Sequence, residues 1–362
     1  MPHAAGAKSA EPPALQAASH HSRLGDLLVP MNSKTTAPGR YARLALLPAL
    51  LGIAALLDEG SLSVYVLLLL TAMVTVGLSL LMGQAGQVSL GQGAFYACGA
   101  YTAGVFATNG YPSLLGLLSA PVVTAAIAAL VGIPLLVLRG HHLAFATLAL
   151  HLICLSVIGE MTTLTGGDIG LQNIPSLRVG PVEFESVRSY AYLSAVALFL
   201  VMLVASNILA SRPGRALRAL SSNEVGAASA GVPVGPYKLA VFVLSAAFAG
   251  LAGGIYAFHM RYLAPGSFPV LLSIEYVVMA AVGGIGTISG AIVGSAVVML
   301  LVHALSRLAT MSGMPSSAPV ILSYAVYASV LIAAVLLLPH GLVAFFTSRW
   351  TKLRRLPKKP VR

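Results

Sequence analysis

Residues 60–82 read GSLSVYVLLLLTAMVTVGLSLLM, and they begin the longest uncharged run of the chain. No Asp, Glu, Lys or Arg occurs between Glu59 and Arg139. A helix needs about 20 apolar residues to cross the hydrocarbon core of a bilayer, so this run alone has room for three crossings. Further uncharged runs, separated by short charged segments, follow as far as Arg349. The pattern predicts a polytopic helical membrane protein.

The composition of the whole chain supports the same class. Of the 362 residues, 57% are hydrophobic and 9% are charged, and the mean hydropathy is +0.89. Soluble proteins carry roughly 25% charged residues, which keep their surface wet. The net charge of +11 does not indicate nucleic-acid binding here, because the basic residues lie in tails and short loops, where membrane orientation explains them.

We predict an all-α fold of about ten transmembrane helices within a permease domain at 41–345. Segment 270–284 is short for a crossing, because it reaches only about 22 Å. Together with 287–306 it is better interpreted as a hairpin, or as a helix broken at residues 283–286. An eight-span arrangement, with 88–108 re-entrant and 270–306 a single hairpin, is the alternative. The ten predicted spans are 41–57, 62–82, 88–108, 114–138, 142–163, 189–210, 238–259, 270–284, 287–306 and 319–339.

The positions of Lys and Arg predict the orientation. After Trp350 the tail carries only basic charges, and the loop after the sixth span carries three arginines within residues 211–218. Cytoplasmic loops are enriched in Lys and Arg. We therefore expect both termini in the cytoplasm, below a cell inner membrane. Residues 1–40 would form a disordered tail, 346–362 a basic tail, and 164–188 an external loop.

Glycines and glutamines interrupt the apolar pattern at residues 83–95, which read GQAGQVSLGQGAF. Glycine weakens a helix by about 1 kcal/mol relative to alanine, and a buried amide needs hydrogen-bond partners. Close helix–helix packing is one explanation of this composition. The other is a discontinuous span that lines a transport pathway. The pathway residues predicted under the second interpretation are Gly83, Gln84, Gly86, Gln87, Ser89, Gly91, Gln92 and Gly93.

Residues 211–232 predict a short amphipathic helix on the cytoplasmic side. Pro213 and Gly214 end the sixth span, and apolar residues then recur at helical spacing, with the charged residues elsewhere on the wheel. Anionic lipid could hold such a helix at the interface. Alternatively, the helix could be a docking element for a cytoplasmic partner.

Several short motifs follow one another along the chain. They include LGQGAFY at 90–96, GAYT at 99–102, GRAL at 214–217, NE at 223–224, AGLAG at 249–253 and GGIGT at 283–287. Their order resembles the permease subunits of branched-chain amino-acid ABC importers, the LivM type. The matches are collinear from about residue 60 to 345. Where the family pattern has an arginine just before the pair at 223–224, this chain has Ser221-Ser222.

The resemblance implies a pore subunit that works with other chains. These are a homologous second permease, two cytoplasmic ATP-binding subunits, and a periplasmic or lipid-anchored substrate-binding protein, all assembled in membrane lipid. The substrate implied is a branched-chain amino acid or a related small polar solute, with urea, short amides and aromatic acids as alternatives. Segment 211–237 would be the ATPase-coupling loop. The coupling residues implied are Arg215, Arg218, Asn223 and Glu224.

The residues also bear on whether the chain is an enzyme. It contains no Gly-x-x-x-x-Gly-Lys-Ser/Thr phosphate loop, so we expect partner subunits to bind and hydrolyse ATP. We expect no catalytic residue, no cofactor in this chain and no metal site, because ligand motifs such as HExxH are missing.

A stand-alone ion-coupled secondary carrier is the alternative from another class. It would need acidic residues near the bilayer midplane, and Glu160 and Glu275 lie near predicted span ends. His151 and His303 fall within spans and are predicted to be packed and hydrogen-bonded. Cys98 and Cys154 lie in apolar stretches and are predicted to act as small buried hydrophobic residues.

Overall fold

The computed structural model describes residues 40–138 and 140–309, together with the isolated positions Ala325 and Ser329. The predicted tails, apart from Arg40, and the predicted span 319–339, apart from those two positions, lie outside the described residues. Every contact discussed below belongs to the unit formed by residues 43–362.

The described chain is built almost entirely from helices. Helices α7 and α8 are short and follow the sixth long helix, as the amphipathic pattern predicts. In chain order the helices are α1 Arg40–Leu56, α2 Glu59–Ala85, α3 Gln92–Thr108, α4 Ser113–Leu135, α5 His141–Glu160, α6 Val187–Ala210, α7 Arg212–Ser222, α8 Glu224–Ser229, α9 Val234–Met260, α10 Val270–Gly283 and α11 Ile288–Ala309.

One small sheet departs from the all-α prediction. Strands β1 Leu177–Val179 and β2 Val182–Phe184 form an antiparallel hairpin in the segment before α6. The connection between them is Gly180-Pro181, and Gly180 has a positive φ of 61°, which glycine adopts without steric cost. Three short helical turns also lie between the long helices, at Thr162–Thr165, Gly167–Ile169 and Pro265–Ser267.

Several helices have the dimensions of membrane spans. Within 40–138 and 140–309, six helical segments are long and apolar enough to cross a bilayer, and two shorter apolar segments, Leu46–Leu56 and Ile288–Ala304, accompany them. The polytopic helical architecture is therefore as predicted, while the count of about ten spans stays a prediction. The six segments are Glu59–Ala85, Ser113–Leu135, His141–Glu160, Val187–Ala210, Val234–Met260 and Pro265–Gly283.

Helices α3, α4 and α9 pack at backbone distance through small residues. A Cβ on Gly99 would overlap the Gly250 backbone, and one on Gly253 would overlap the Tyr96 carbonyl oxygen. Gly250 in turn lies against Thr124 of α4. Small residues let transmembrane backbones approach closely and so gain van der Waals contact. These three helices therefore form a tightly packed group.

Candidate translocation site

A break in the helical backbone separates α2 from α3. Helix α2 ends at Ala85, and Gly86 takes the left-handed conformation with φ 64° while its N–H donates to the Leu81 carbonyl. This is a common glycine ending of a helix, because glycine has no Cβ to clash in that conformation. Residues 87–91 are not helical, and α3 begins at Gln92. The predicted span 88–108 therefore starts four residues later than expected, after a discontinuity.

A second break lies between α10 and α11, and the two breaks are in contact. Residues 284–287 separate the helices, as the glycine cluster there predicts. The Gly286 N–H donates to the Ser79 hydroxyl at 3.0 Å, and the Gln84 amide donates to the Gly286 carbonyl at 3.4 Å. A Cβ on Gly83 would overlap Gly286. Sequence reasoning included both breaks among its open interpretations, but it did not predict their contact or the role of Ser79.

The first turn of α3 is held by hydroxyl groups from two other helices. The Leu90 N–H donates to Thr147 Oγ1 of α5 at 2.9 Å, and the Gly93 N–H donates to Ser273 Oγ of α10 at 2.9 Å. The first N–H groups of a helix have no partner within the helix, so they need such acceptors when they are buried. The hydroxyl of buried Ser89 accepts a further bond, from the Gly91 N–H at 3.3 Å.

His151 completes a buried hydrogen-bond chain that begins at Gly93. Its Nε2 lies 3.2 Å from the Phe268 carbonyl oxygen, which can only accept, so Nε2 carries the hydrogen. Nδ1 is then an acceptor, and Ser273 Oγ, at 3.0 Å, donates to it. The predicted packed, hydrogen-bonded role of His151 is therefore seen. For His303, Nε2 has no hydrogen-bond partner among the described residues.

Three glutamine side chains at the break keep a buried acceptor unpaired. Gln87 and Gln92 are almost fully buried, and Gln92 Nε2 donates to Ser245 Oγ of α9 at 3.0 Å. The Oε1 atoms of Gln84, Gln87 and Gln92 have no hydrogen-bond partner among the described residues. An unpaired buried acceptor costs about 1–3 kcal/mol, so an N–H or O–H donor that reached these oxygens would relieve that cost.

The predicted pathway residues thus cover the end of α2, the break and the start of α3, and they differ in how far they are buried. Gly91, Gly93, Ser89 and the glutamines at 87 and 92 are buried, whereas Gly86 is exposed.

Glu160 is the last residue of α5, and Glu275 lies in the second turn of α10. Within the described ranges, no group of three His, Cys, Asp or Glu residues is arranged to hold a metal ion.

The predicted coupling residues lie on α7, on α8 and at Asn223 between these helices, which pack on α2, α6 and α9. Leu217 and Leu220 bury the apolar face of α7. Arg218 Nη1 donates to the Leu209 carbonyl at the end of α6, at 2.7 Å. Asn223 caps α8, because its Oδ1 accepts from the Gly226 N–H at 2.9 Å. Arg218 and Asn223 therefore both have hydrogen-bond partners within the described fold.

Of the other two predicted coupling residues, Glu224 has a partner in the described structure and Arg215 has none. Glu224 forms an ion pair with Lys238 Nζ of α9 at 2.7 Å, and the lysine side chain is only 15% exposed. Arg215 is exposed, and its side chain makes no hydrogen bond or ion pair among the described residues. Arg215 is thus the predicted coupling residue whose charge is directed to the outside of the described fold.

The segment before α6 is tied to the α9–α10 connection. Leu171 and Leu263 exchange both backbone hydrogen bonds, at 2.7 and 3.0 Å, in an isolated antiparallel bridge. The hairpin is closed by an ion pair between Arg178 Nη2 and Glu183 Oε2 at 2.8 Å. This is the segment that was predicted to face outward.

The family model described as "Branched-chain amino acid transport system / permease component" matches residues 60–338, which include both breaks and the α7–α8 segment. The chain belongs to this family. The resemblance stated from the motifs is therefore confirmed.

Three relatives of the family show how far the likeness extends. The high-affinity branched-chain amino acid permease protein LivM of Salmonella typhimurium is 30% identical over 322 residues, which cover 82% of this chain and 75% of the relative. LivM of Escherichia coli is 30% identical over 70% of this chain and 65% of its own length. A probable LivH permease of Methanocaldococcus jannaschii is 28% identical over 59% of this chain and 66% of its own length. No solved structure matches the chain.

Proposed function

We propose that this chain is the pore-forming permease subunit of an ABC importer for branched-chain amino acids or a related small polar solute. Family membership supports the class of protein. The observation that carries the proposal is the contact between the two backbone breaks, where Gly83 meets Gly286 beside the buried amide of Gln84. Broken helices in a membrane are tolerated where protein or an aqueous route covers them, and transporters place such breaks beside their substrate.

The neutral character of this site suits a solute without net charge. No Asp, Glu, Lys or Arg occurs from residue 60 to 138, so the break at 86–91 offers only amide, hydroxyl and backbone groups. The unpaired oxygens of Gln84, Gln87 and Gln92 would accept hydrogen bonds from an ammonium or amide group in transit. Urea, short amides and aromatic acids remain the alternative substrates, and a competition assay for uptake distinguishes them.

The energy for transport would come from other chains. Two cytoplasmic ATP-binding subunits would hydrolyse ATP, a homologous second permease would complete the pore, and a binding protein would deliver substrate at the segment before α6. The loop at 211–237 would receive the motion of the ATPases in the cytoplasm, and the membrane would be the cell inner membrane. The positive charges of this loop support that side.

A physical connection runs from the loop to the break. Glu224 of α8 pairs with Lys238 at the start of α9. Seven residues later, or about 10 Å along the helix axis, Ser245 accepts a hydrogen bond from Gln92 at the start of α3. Because α9 is one helix between these contacts, a displacement of α8 would reach the break without an intervening loop.

The first experiment is purification of the tagged chain in mild detergent, followed by reconstitution into liposomes. We expect recovery with a second permease and two ATP-binding subunits, and uptake that requires both ATP and the binding protein. Uptake by this chain alone without ATP would contradict the proposal and favour an ion-coupled secondary carrier.

A pair of variants tests the coupling loop. Arg215→Gln removes an exposed charge with no partner in the described structure, so we expect uptake to fall while the melting temperature stays unchanged. Arg218→Gln also removes the bond to the Leu209 carbonyl, so we expect uptake and melting temperature to fall together. Equal uptake by Arg215→Gln and the wild type would contradict a docking role for that residue.

A further inference from the structure

The two cysteines of the chain face each other across a helix–helix contact. Cys98 lies on α3 and Cys154 on α5, and their Sγ atoms are 3.4 Å apart. Both side chains are partly buried and both are free thiols. The sequence contains no other cysteine. The sequence predicted that both would act as small buried hydrophobic residues, and nothing in it indicates that positions 56 residues apart are in contact.

Helix α5 presents one polar stripe, and the whole stripe contacts the start of α3. Thr147 accepts from the Leu90 N–H, and His151 reaches the Gly93 N–H through Ser273. Cys154 follows one turn later, beside Cys98. Residues spaced by three or four lie on the same face of a helix, so the thiol continues the row of groups that holds the break.

The attachment of α3 to α5 uses more side-chain hydrogen bonds than its attachment to α9. Against α9 the backbones touch through Gly99 and Gly253, where no side chain could fit. Against α5 the contacts include hydrogen bonds made by side chains, and Gly91 also packs closely against the Thr147 backbone. Most of the α5 span is not covered by other parts of the described structure. A covalent link at this contact would therefore join a largely uncovered helix to the tightly packed group of α3, α4 and α9.

We propose that Cys98 and Cys154 form a redox modification site, and that a disulfide between them fastens α5 to α3 and stops transport. A disulfide bond is about 2.05 Å long, so the sulfurs need to approach by about 1.4 Å. The effect on transport rests on the proposed permease function, whereas the formation of the disulfide does not.

The oxidant in this proposal is a hydroperoxide, with hydrogen peroxide as the simplest case. One thiol attacks the peroxide oxygen, the O–O bond breaks, and the products are a sulfenic acid and one water molecule. The second thiol then attacks the sulfenic sulfur, the S–O bond breaks, and a second water leaves as the S–S bond forms. The two thiols together lose two electrons to the peroxide, and a dithiol reductant reverses the step by thiol–disulfide exchange.

The chemical test uses the full chain in membranes that contain its assembled complex. After graded hydrogen peroxide, the remaining thiols are blocked with N-ethylmaleimide and the digested peptides are analysed by mass spectrometry. We expect both thiols to disappear together, with a linked peptide pair that contains Cys98 and Cys154 and lacks two hydrogen atoms. The matched controls are Cys98→Ser and Cys154→Ser, which should form no such link. Independent oxidation of the two cysteines to sulfinic or sulfonic acids would overturn the proposal.

The functional test measures substrate uptake in reconstituted liposomes from the same samples. We expect uptake to fall in proportion to the linked fraction and to return after dithiothreitol, while both serine variants retain uptake under peroxide. Unchanged uptake at complete linkage would overturn the inhibitory role of the disulfide. A sample that shows no ATP-dependent uptake before oxidation would instead count against the proposed permease function, and the linked peptides would still be observed.

Discussion

Gly93 is the residue that lets α3 begin where it does. A Cβ at this position would overlap the ring of His151 and lie 2.9 Å from Ser273 Oγ. Both neighbours are fully buried and are fixed by hydrogen bonds to each other and to Phe268, so neither can move aside cheaply. The position of the break therefore depends on the absence of a side chain at Gly93 as well as on the hydrogen bonds around it.

We expect Gly93→Ala to destabilise the protein by about 1–3 kcal/mol, the usual cost of forcing an extra methyl group into a packed interior. The measurement is the thermal unfolding midpoint of the detergent-solubilised chain. Gly60→Ala is the matched control, because a Cβ there meets no atom within 4 Å. Equal midpoints for the two variants would show that the first turn of α3 can relax around the methyl group.

Ser273 supports a second prediction at the same scale. Ser273→Ala leaves the Gly93 N–H and His151 Nδ1 without their partner, and an unpaired buried group costs about 1–3 kcal/mol. Ser295→Ala is the control, because Ser295 is equally buried but bonds only to the Ala291 carbonyl of its own helix. We expect chemical denaturation to show a clearly larger loss for Ser273→Ala, and similar losses would argue against the relay through His151.

At the scale of secondary-structure elements, an ion pair connects α8 to α9. The ion pair of Glu224 with Lys238 joins them, and we expect Glu224→Lys to break it and to speed tryptic cleavage at the arginines of α7. The exchanged double variant Glu224→Lys with Lys238→Glu should restore the wild-type cleavage rate. A partly exposed ion pair of this kind is worth about 1 kcal/mol, so the change expected is a few-fold. Failure of the double variant to recover would mean that the pair does not join the two helices.

The hairpin formed by β1 and β2 carries a pH dependence of its own. The hydrogen bond from the Arg178 guanidinium, with a further one from Ser176, lowers the pKa of Glu183, and the same pair raises the pKa of Arg178. A carboxyl group whose pKa is lowered on folding stabilises the hairpin above its unfolded pKa of about 4.3, and this contribution is lost as the pH falls through the lowered value.

We therefore expect hydrogen-exchange protection of residues 177–184, corrected for intrinsic rates, to stay constant from about pH 8 to 5 and to fall below about pH 4. Glu183→Gln should lack this acid-dependent step. An identical acid response in that variant would assign the titration to another group.

At the scale of the whole molecule, α6 separates two loops of different character. Its 24 residues span about 36 Å, enough to cross the hydrocarbon core, so the hairpin before it and α7 after it should lie on opposite sides. In a background with Cys98→Ser and Cys154→Ser, a membrane-impermeant maleimide should label Glu185→Cys from outside intact cells. It should label Ser222→Cys only after permeabilisation. Labelling of both from the same side would contradict the proposed topology.

Much of the fold was predictable because its signals are local. Uncharged runs of about 20 residues predict the long helices, and the glycine clusters predict the breaks at 86–91 and 284–287, since both act on neighbouring residues of the backbone. The amphipathic pattern likewise predicts α7. The hairpin at 177–184 was missed, because strands of three residues are too short to give a periodic pattern.

The contacts of the candidate site were not predictable from the sequence. Gln84 and Gly286 are 202 positions apart, and Arg218 bonds a backbone carbonyl that has no sequence signal at all. Such pairs depend on how the helices pack, and packing depends on shape along the whole length of each helix.

By itself, the sequence determined the membrane class, the approximate positions of the long helices and the family, because these follow from hydrophobicity and motif order along the chain. It predicted the breaks at 83–93 and 283–286 only as one of two interpretations of each segment. Only the tertiary structure decided that the two breaks meet, that α5 holds the start of α3, and that Cys98 lies beside Cys154. The reason is physical: each of these contacts joins segments far apart in the chain, and close packing of the helices between them is what brings them together.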